Sequence, residues 1–165
     1  MDKLVLSAPA KINLSLDIID ILDDGFHQLE MIMQSISLHD IIRIEKKIDD
    51  IGEIELNCSD NRLPQGEENL AFQAAKLFKE KTDVFDSVKI NIEKNIPLAA
   101  GLAGGSTDAA AVLKGLNKLF KTGLTIKQLR SLGSKIGTDV PFCIEGGTVF
   151  ATGRGDKLRQ LPDIE

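Results

Sequence analysis

The chain has 165 residues, 42% hydrophobic and 27% charged, which is ordinary globular composition and enough for one well-cored domain but short for two. A net charge of −5, with no Trp or Tyr, argues against a nucleic-acid partner, an anionic-membrane partner and an aromatic base-stacking platform. Cys58 and Cys143 stand in no metal-like spacing, and no signal peptide or bilayer-length apolar run is visible, so the expectation is a cytoplasmic protein with two buried thiols.

In chain order, Lys3–Ser7 reads as a short strand. Ala10–Leu22 alternates loosely through Ile12, Leu14, Leu16 and Ile18, a second strand closed by the turn Asp23-Asp24-Gly25. Leu29–Leu38 is a third strand, and Asp40–Lys46, with Ile42 and Ile44, a fourth. Beyond the turn Asp49–Gly52, Glu53–Cys58 alternates Ile54 and Leu56. Asn61–Glu68 is polar, contains Pro64 and Gly66, and reads as a loop. Asn69–Lys81 carries the stripe Leu70, Phe72, Ala74, Ala75, Leu77 and Phe78 of an amphipathic helix. Val88–Glu93 is a strand, and a glycine-rich turn then leads into a helix over 105–120. Thr125 caps a helix Ile126–Ile136 that Gly137 stops, and Asp139-Val140-Pro141 cannot continue it. Gly147–Thr152 is the last strand, followed by the turn Gly153-Arg154-Gly155. Strands first, then strands and helices mixed, predict an α+β fold: one mainly antiparallel sheet covered by helices.

The most informative segment is Pro97-Leu98-Ala99-Ala100-Gly101-Leu102-Ala103-Gly104-Gly105-Ser106-Thr107-Asp108. Gly101, Gly104 and Gly105 let the backbone take positive φ and approach a ligand closely. Ser106, Thr107 and Asp108 are expected to supply N-cap and first-turn chemistry to a helix with apolar residues at 109, 112, 113, 116, 119 and 120. Unpaired N–H groups and the positive helix end then meet at 104–108, which suits a phosphate. No lysine follows the glycines as a P-loop requires, and Gly-x-x-Gly-Gly is not the dinucleotide fingerprint. Taken alone, the segment also fits an ordinary junction of small residues.

Four segments together resemble one family. Ala8-Pro9-Ala10-Lys11-Ile12-Asn13-Leu14 is similar to the opening motif of the galacto-, homoserine-, mevalonate- and phosphomevalonate-type (GHMP) small-molecule kinases, and Pro97–Ala111 to their phosphate loop. Asp24-Gly25-Phe26-His27-Gln28-Leu29 and Gly137-Thr138-Asp139-Val140-Pro141-Phe142, with Gly146-Gly147, resemble the members acting on a cytidine-diphosphate sugar alcohol. The resemblance implies a ribosomal protein S5 domain 2-like fold. It also implies ATP-dependent phosphorylation, with Mg²⁺, of the 2-hydroxyl of a cytidine-diphosphate methylerythritol in the non-mevalonate isoprenoid pathway. Family members run to about twice this length. The expectation is therefore an N-terminal, ATP-binding domain over 1–165, with the C-terminal domain absent.

Phosphoryl transfer needs positioning, charge stabilisation and a place for the acceptor's proton. Asp139, between Gly137 and Pro141, is the expected base, although a turn or capping Asp is the plainer reading from the residues alone. Lys11, set in an otherwise apolar strand start, must reach solvent or pair, and Asp139 is the implied partner. By resemblance His27 reads the cytosine edge, Phe26 stacks on the ring where a tyrosine is common, and Asn13 contacts acceptor hydroxyls or phosphate. Asn69, Leu70 and Lys94 resemble adenine-side contacts, and residues 101–107 those to the ATP phosphates. Ser106 or Thr107 is the possible hydroxyl ligand of Mg²⁺. Another kinase of the superfamily and an inactive nucleotide-binding module are the competing readings.

Overall fold

The computed structural model describes residues 2–21, 25, 27–49, 51–162 and 164. Two long strands, β1 (Lys3–Ile21) and β2 (His27–Lys47), form an antiparallel ribbon, with Lys3 opposite Glu45 at one end and Ile21 opposite His27 at the other. Sequence reading divides each strand in two, and the structure keeps both continuous. Among the described residues β1 pairs with β2 alone, so Pro9 lies beside an edge where a missing N–H does no harm. Asp40 does not break β2 because its buried carboxylate is hydrogen-bonded from several sides.

Along its other edge β2 pairs antiparallel with β4 (Ser87–Glu93) through Ile41–Lys47 and with β5 (Thr148–Gly153) through Leu29–Gln34. β3 (Ile54–Cys58) joins β4 in parallel, and β6 (Lys157–Gln160) closes the β5 side. The mainly antiparallel sheet expected from the sequence therefore forms, with one parallel pair. β6 has no counterpart in the sequence reading, because a four-residue polar strand with one apolar side chain, Leu158, has almost no periodic signal.

Among the described residues four helices accompany the sheet: α1 (Leu70–Thr82), α2 (Gly104–Phe120), α3 (Ile126–Gly133) and α4 (Val140–Glu145). α2 buries Val112, Leu113 and Leu116 against Ile42, Ile44 and Met33 of the sheet side of the core. It lies so close that a Cβ on Gly115 would stand 2.5 Å from the Ile44 side chain. α1 adds Ala71, Ala74, Ala75 and Phe78 to the same core.

α3 opens on a capping box between Thr125 and Gln128 and ends at Gly133, three residues before the periodicity suggests. The chain then tightens into a turn in which Ile136 and Gly137 both donate to the Gly133 carbonyl. α4 departs from the sequence expectation, because Pro141 reads as a breaker; it falls in the helix's first turn, where no N–H is needed. Among the described residues no helix is long and apolar enough to cross a membrane.

Candidate functional site

The β1–β2 register shifts between Pro9, opposite His39, and Lys11, opposite Ser35, with the extra residues on β2. Ala8 and Ala10 point into the core, and strict alternation would turn Lys11 outward. Lys11 departs from that alternation and is buried as well. Its backbone N–H leaves the ladder and donates to the Leu102 carbonyl at 3.1 Å. Its Nζ donates to Asn13 Oδ1 at 3.2 Å and stands 3.6 Å from Asp139 Oδ2, with side-chain exposures of 9% for Lys11 and 33% for Asp139. Asp139 occupies the N-cap position of α4, yet its side chain makes no capping bond. The plainer reading of Asp139 as a capping residue therefore does not describe it. Its carboxylate faces Lys11 across a gap wider than a hydrogen bond.

Residues 97–103 turn from β4 into α2 with Ala99, Gly101 and Ala103 all at positive φ, 55°, 74° and 58°. Glycine holds that conformation freely, whereas each alanine there costs roughly 1–2 kcal/mol. Such backbone strain gathers at ligand clamps and active sites. The helix begins at Gly104, not within 105–108, and its N-cap is Ala103 with no side-chain capping bond. Ser106, Thr107 and Asp108 thus lie inside the helix and do not cap it. The N–H groups of Gly104, Gly105 and Ser106 have no intrahelical acceptor, so the positive end of α2 is left open.

A cavity of about 500 Å³ lies over this end. Pro97, Leu98, Ala99, Ala100, Gly101, Leu102, Ala103, Gly104, Gly105 and Ser106 line it, together with Asn69, Leu70 and Lys94. Thr107 is not on this wall. Its N–H donates to Ala103 O at 2.9 Å and its hydroxyl to Pro9 O at 2.7 Å, so both donors tie α2 to the loop and to β1. Asn69 caps α1 by accepting from Ala71 N at 2.9 Å and donates to Pro64 O at 2.8 Å. It is thus a cap and a cavity wall at once.

Lys94 is not a solvated strand end. Its Nζ donates to Asp40 Oδ2 at 2.5 Å and to Asp108 Oδ2 at 2.7 Å, and the three side chains are 5%, 0% and 4% exposed. Burial opposes the charge on Lys94, but Asp108 and Asp40 together raise its pKa. Burial pushes the Asp108 carboxyl up to about 7, against the pull of Lys94. Among the described residues Asp108 Oδ1 has no hydrogen-bond partner. Sequence reading misses Asp40 and Asp108. The available signal is a carboxylate on an apolar stripe: Asp108 shares its helix face with Val112 and Leu116.

A second cavity, of about 560 Å³, is bounded by Leu16, Ile18, His27, Thr138, Pro141 and Arg154. His27 is exposed at the start of β2. Lys11 and Asp139 are on the wall of neither cavity; Thr138 and Pro141, close to Asp139 in sequence, line the second, and Leu102, which accepts the Lys11 N–H, lines the first. Phe26 and Asp24 lie outside the described residues. Among the described residues no group of three or more His, Cys, Asp or Glu side chains is arranged to hold a metal ion.

A mainly antiparallel sheet backed by helices, with an uncapped glycine-rich helix start beside a Lys–Asp pair, resembles the N-terminal domain of a GHMP kinase. Residues 69–147 match the GHMP kinases N terminal domain. The chain is 53% identical over 159 residues to 4-diphosphocytidyl-2-C-methyl-D-erythritol kinase of Bacillus cereus (strain B4264), covering 96% of this chain and 54% of the relative. A crystal structure of 4-(cytidine 5'-diphospho)-2C-methyl-D-erythritol kinase matches with TM-score 0.81 and 37% identity, over 96% of this chain and 55% of that one. Methanococcus jannaschii mevalonate kinase, at TM-score 0.73 and 18% identity over 96% of this chain and 56% of that one, shares the fold. The chain spans about half the length of the curated relatives it matches.

Proposed function

We propose that this chain carries the nucleotide- and acceptor-binding machinery of a cytoplasmic kinase of the non-mevalonate isoprenoid pathway. The reaction is transfer of the γ-phosphoryl group of ATP to the 2-hydroxyl of 4-diphosphocytidyl-2-C-methyl-D-erythritol. The observation that carries this reading is the Lys11–Asp139 pair, with Lys11 bonded to Leu102 of the first cavity's wall and Asp139 close in sequence to Thr138 and Pro141 of the cavity bearing His27. The 53% identity to the Bacillus cereus kinase supports the choice of acceptor. The proposal treats residues 1–165 as the N-terminal domain. It assigns a small-molecule partner and no nucleic acid or membrane.

In this reading the N–H groups of Gly104, Gly105 and Ser106 hold the ATP phosphates, and Asn69, Leu70 and Lys94 border the adenine side. His27 hydrogen-bonds the cytosine edge and Phe26 stacks on the ring. Asn13 reaches the acceptor's hydroxyls while steadying Lys11. The acceptor oxygen bonds to the γ-phosphorus as the bond from that phosphorus to the β–γ bridging oxygen breaks. ADP leaves with the bridging oxygen, and the hydroxyl proton passes to Asp139. Lys11 fixes where the carboxylate stands. Mg²⁺ would neutralise phosphate charge; with no carboxylate cage among the described residues, the Ser106 hydroxyl is the side-chain oxygen at hand, as suits an ion held mostly by phosphates and water.

The test is transfer followed by ³¹P NMR with ATP and acceptor, using this chain and a version extended to the length of its relatives. The proposal expects a phosphate monoester on the 2-hydroxyl. Transfer to mevalonate or homoserine in preference to the cytidine-diphosphate acceptor would overturn it.

A further inference from the structure

One lysine joins both ends of the glycine loop. Asp40 Oδ1 accepts the N–H groups of Asn95 at 2.5 Å and Ile96 at 2.8 Å, the residues that lead into Pro97. Asp40 Oδ2 takes the Lys94 ammonium, and the same Nζ reaches Asp108 Oδ2 in the early part of α2, just past the loop. The chain from Asn95 to Asp108 is therefore pinned from beneath at its start and its finish through a single cation. Lys94 and Asp108 also border the nucleotide-sized cavity. A Cβ on Gly104 would stand 3.2 Å from Lys94 Nζ, so the lysine lies directly under the first helical residue.

Stability alone does not call for this arrangement. Buried ion clusters are commonly matched or bettered by apolar side chains of similar volume. Here the cluster also leaves Asp108 Oδ1 without a partner among the described residues, which is unfavourable in a buried site. What it provides is geometric: the loop's two alanines at positive φ are held in a shape that an untethered segment would leave.

We propose that Asp40, Lys94 and Asp108 form a clamp that presets the loop, so that the N–H groups of Gly104, Gly105 and Ser106 converge before a phosphate arrives. The inference rests on the reading that this loop receives ATP phosphates. The three side chains act as positioning residues through the backbone they tether. Presetting raises affinity by removing the ordering that binding would otherwise require.

The experiment compares wild type, Asp108→Ala, Asp108→Asn and Lys94→Gln in this chain, by calorimetric titration with MgATP and by amide hydrogen exchange. Asp108→Ala releases α2 from Lys94. It is expected to raise the MgATP Kd about tenfold, equivalent to about 1.4 kcal/mol. It also speeds exchange at 99–106 while leaving exchange in α1 unchanged. Asp108→Asn keeps an oxygen for Lys94 and restores both readouts to within about threefold of wild type. Lys94→Gln, too short to reach both carboxylates, is the second variant should Asp108→Ala fold poorly, and carries the same expectation as Asp108→Ala. MgATP affinity within twofold of wild type in either clamp-breaking variant, or faster exchange spread evenly through α1, overturns the clamp. Absence of MgATP binding by wild type overturns the functional reading instead, and the exchange comparison then still decides whether the loop is tethered.

Discussion

Asp108→Asn should abolish a specific pH dependence of stability. Burial holds the Asp108 carboxyl up at about 7, from an ordinary value of 3.8. Between those values the folded protein binds a proton that the unfolded chain has released. Stability therefore falls as pH rises across that window, and the loss is complete above the folded pKa. Each pH unit within the window is worth about 1.4 kcal/mol, so wild type loses roughly 2 kcal/mol between pH 5 and pH 7 through this group. With a urea m-value of about 1–3 kcal/mol/M, the midpoint moves by about 1 M. The amide that replaces the carboxyl has no such proton, so the stability difference between variant and wild type grows from pH 5 to pH 7 and levels above that. Urea unfolding followed by circular dichroism at pH 5, 6, 7 and 8 measures it. Parallel curves for the two proteins would show that Asp108 titrates as an ordinary carboxylate and that the buried cluster has been misread.

Gly104→Val puts branched carbons against Lys94 Nζ and Ile96 Cγ2, which stand 3.2 and 3.3 Å from an added Cβ. It should weaken ATP binding by about tenfold or more while leaving the circular dichroism spectrum near normal; unchanged affinity by calorimetry would count against the phosphate loop. Asn69→Ala removes the cap on α1 and should lower stability by about 1 kcal/mol in urea unfolding, separately from any effect on nucleotide affinity. Leu113→Ala opens the centre of the α2–sheet core and should cost about 2–5 kcal/mol in the same assay.

Periodicity carries α1 and the β4 region, which alternate between core and solvent, whereas α2 is buried without a break from Thr107 to Leu113. Periodicity fails where one residue's local meaning is reversed by tertiary context. The strand breaks read at 8–9 and at His39 do not occur: Pro9 lies on an open edge, and Asp40, read as a strand start, sits within β2 bonded to Lys94, Asn95 and Ile96. Pro141 reads as a stop but starts a helix. At the site, the glycine segment is legible as a phosphate-suited helix start. The absence of any side-chain cap is not, since Ser106, Thr107 and Asp108 look like caps in sequence. The Lys11–Asp139 contact comes from family resemblance; the register shift beside Lys11 has no sequence signature. The Asp40–Lys94–Asp108 cluster joins residues distant in sequence, which no local pattern reveals.

In the proposed reaction Asp139, set by Lys11 beside the loop, takes the acceptor's proton. Steady-state kinetics of Asp139→Asn, in the form of the protein that turns over, tests it most directly. Removing a general base lowers kcat by about 10²–10⁴-fold and leaves KM for both substrates within a few-fold, because the proton moves chiefly in the transition state. The account predicts that loss in kcat, with ATP affinity by calorimetry unchanged. A kcat within about threefold of wild type would contradict it and remove Asp139 from the chemistry.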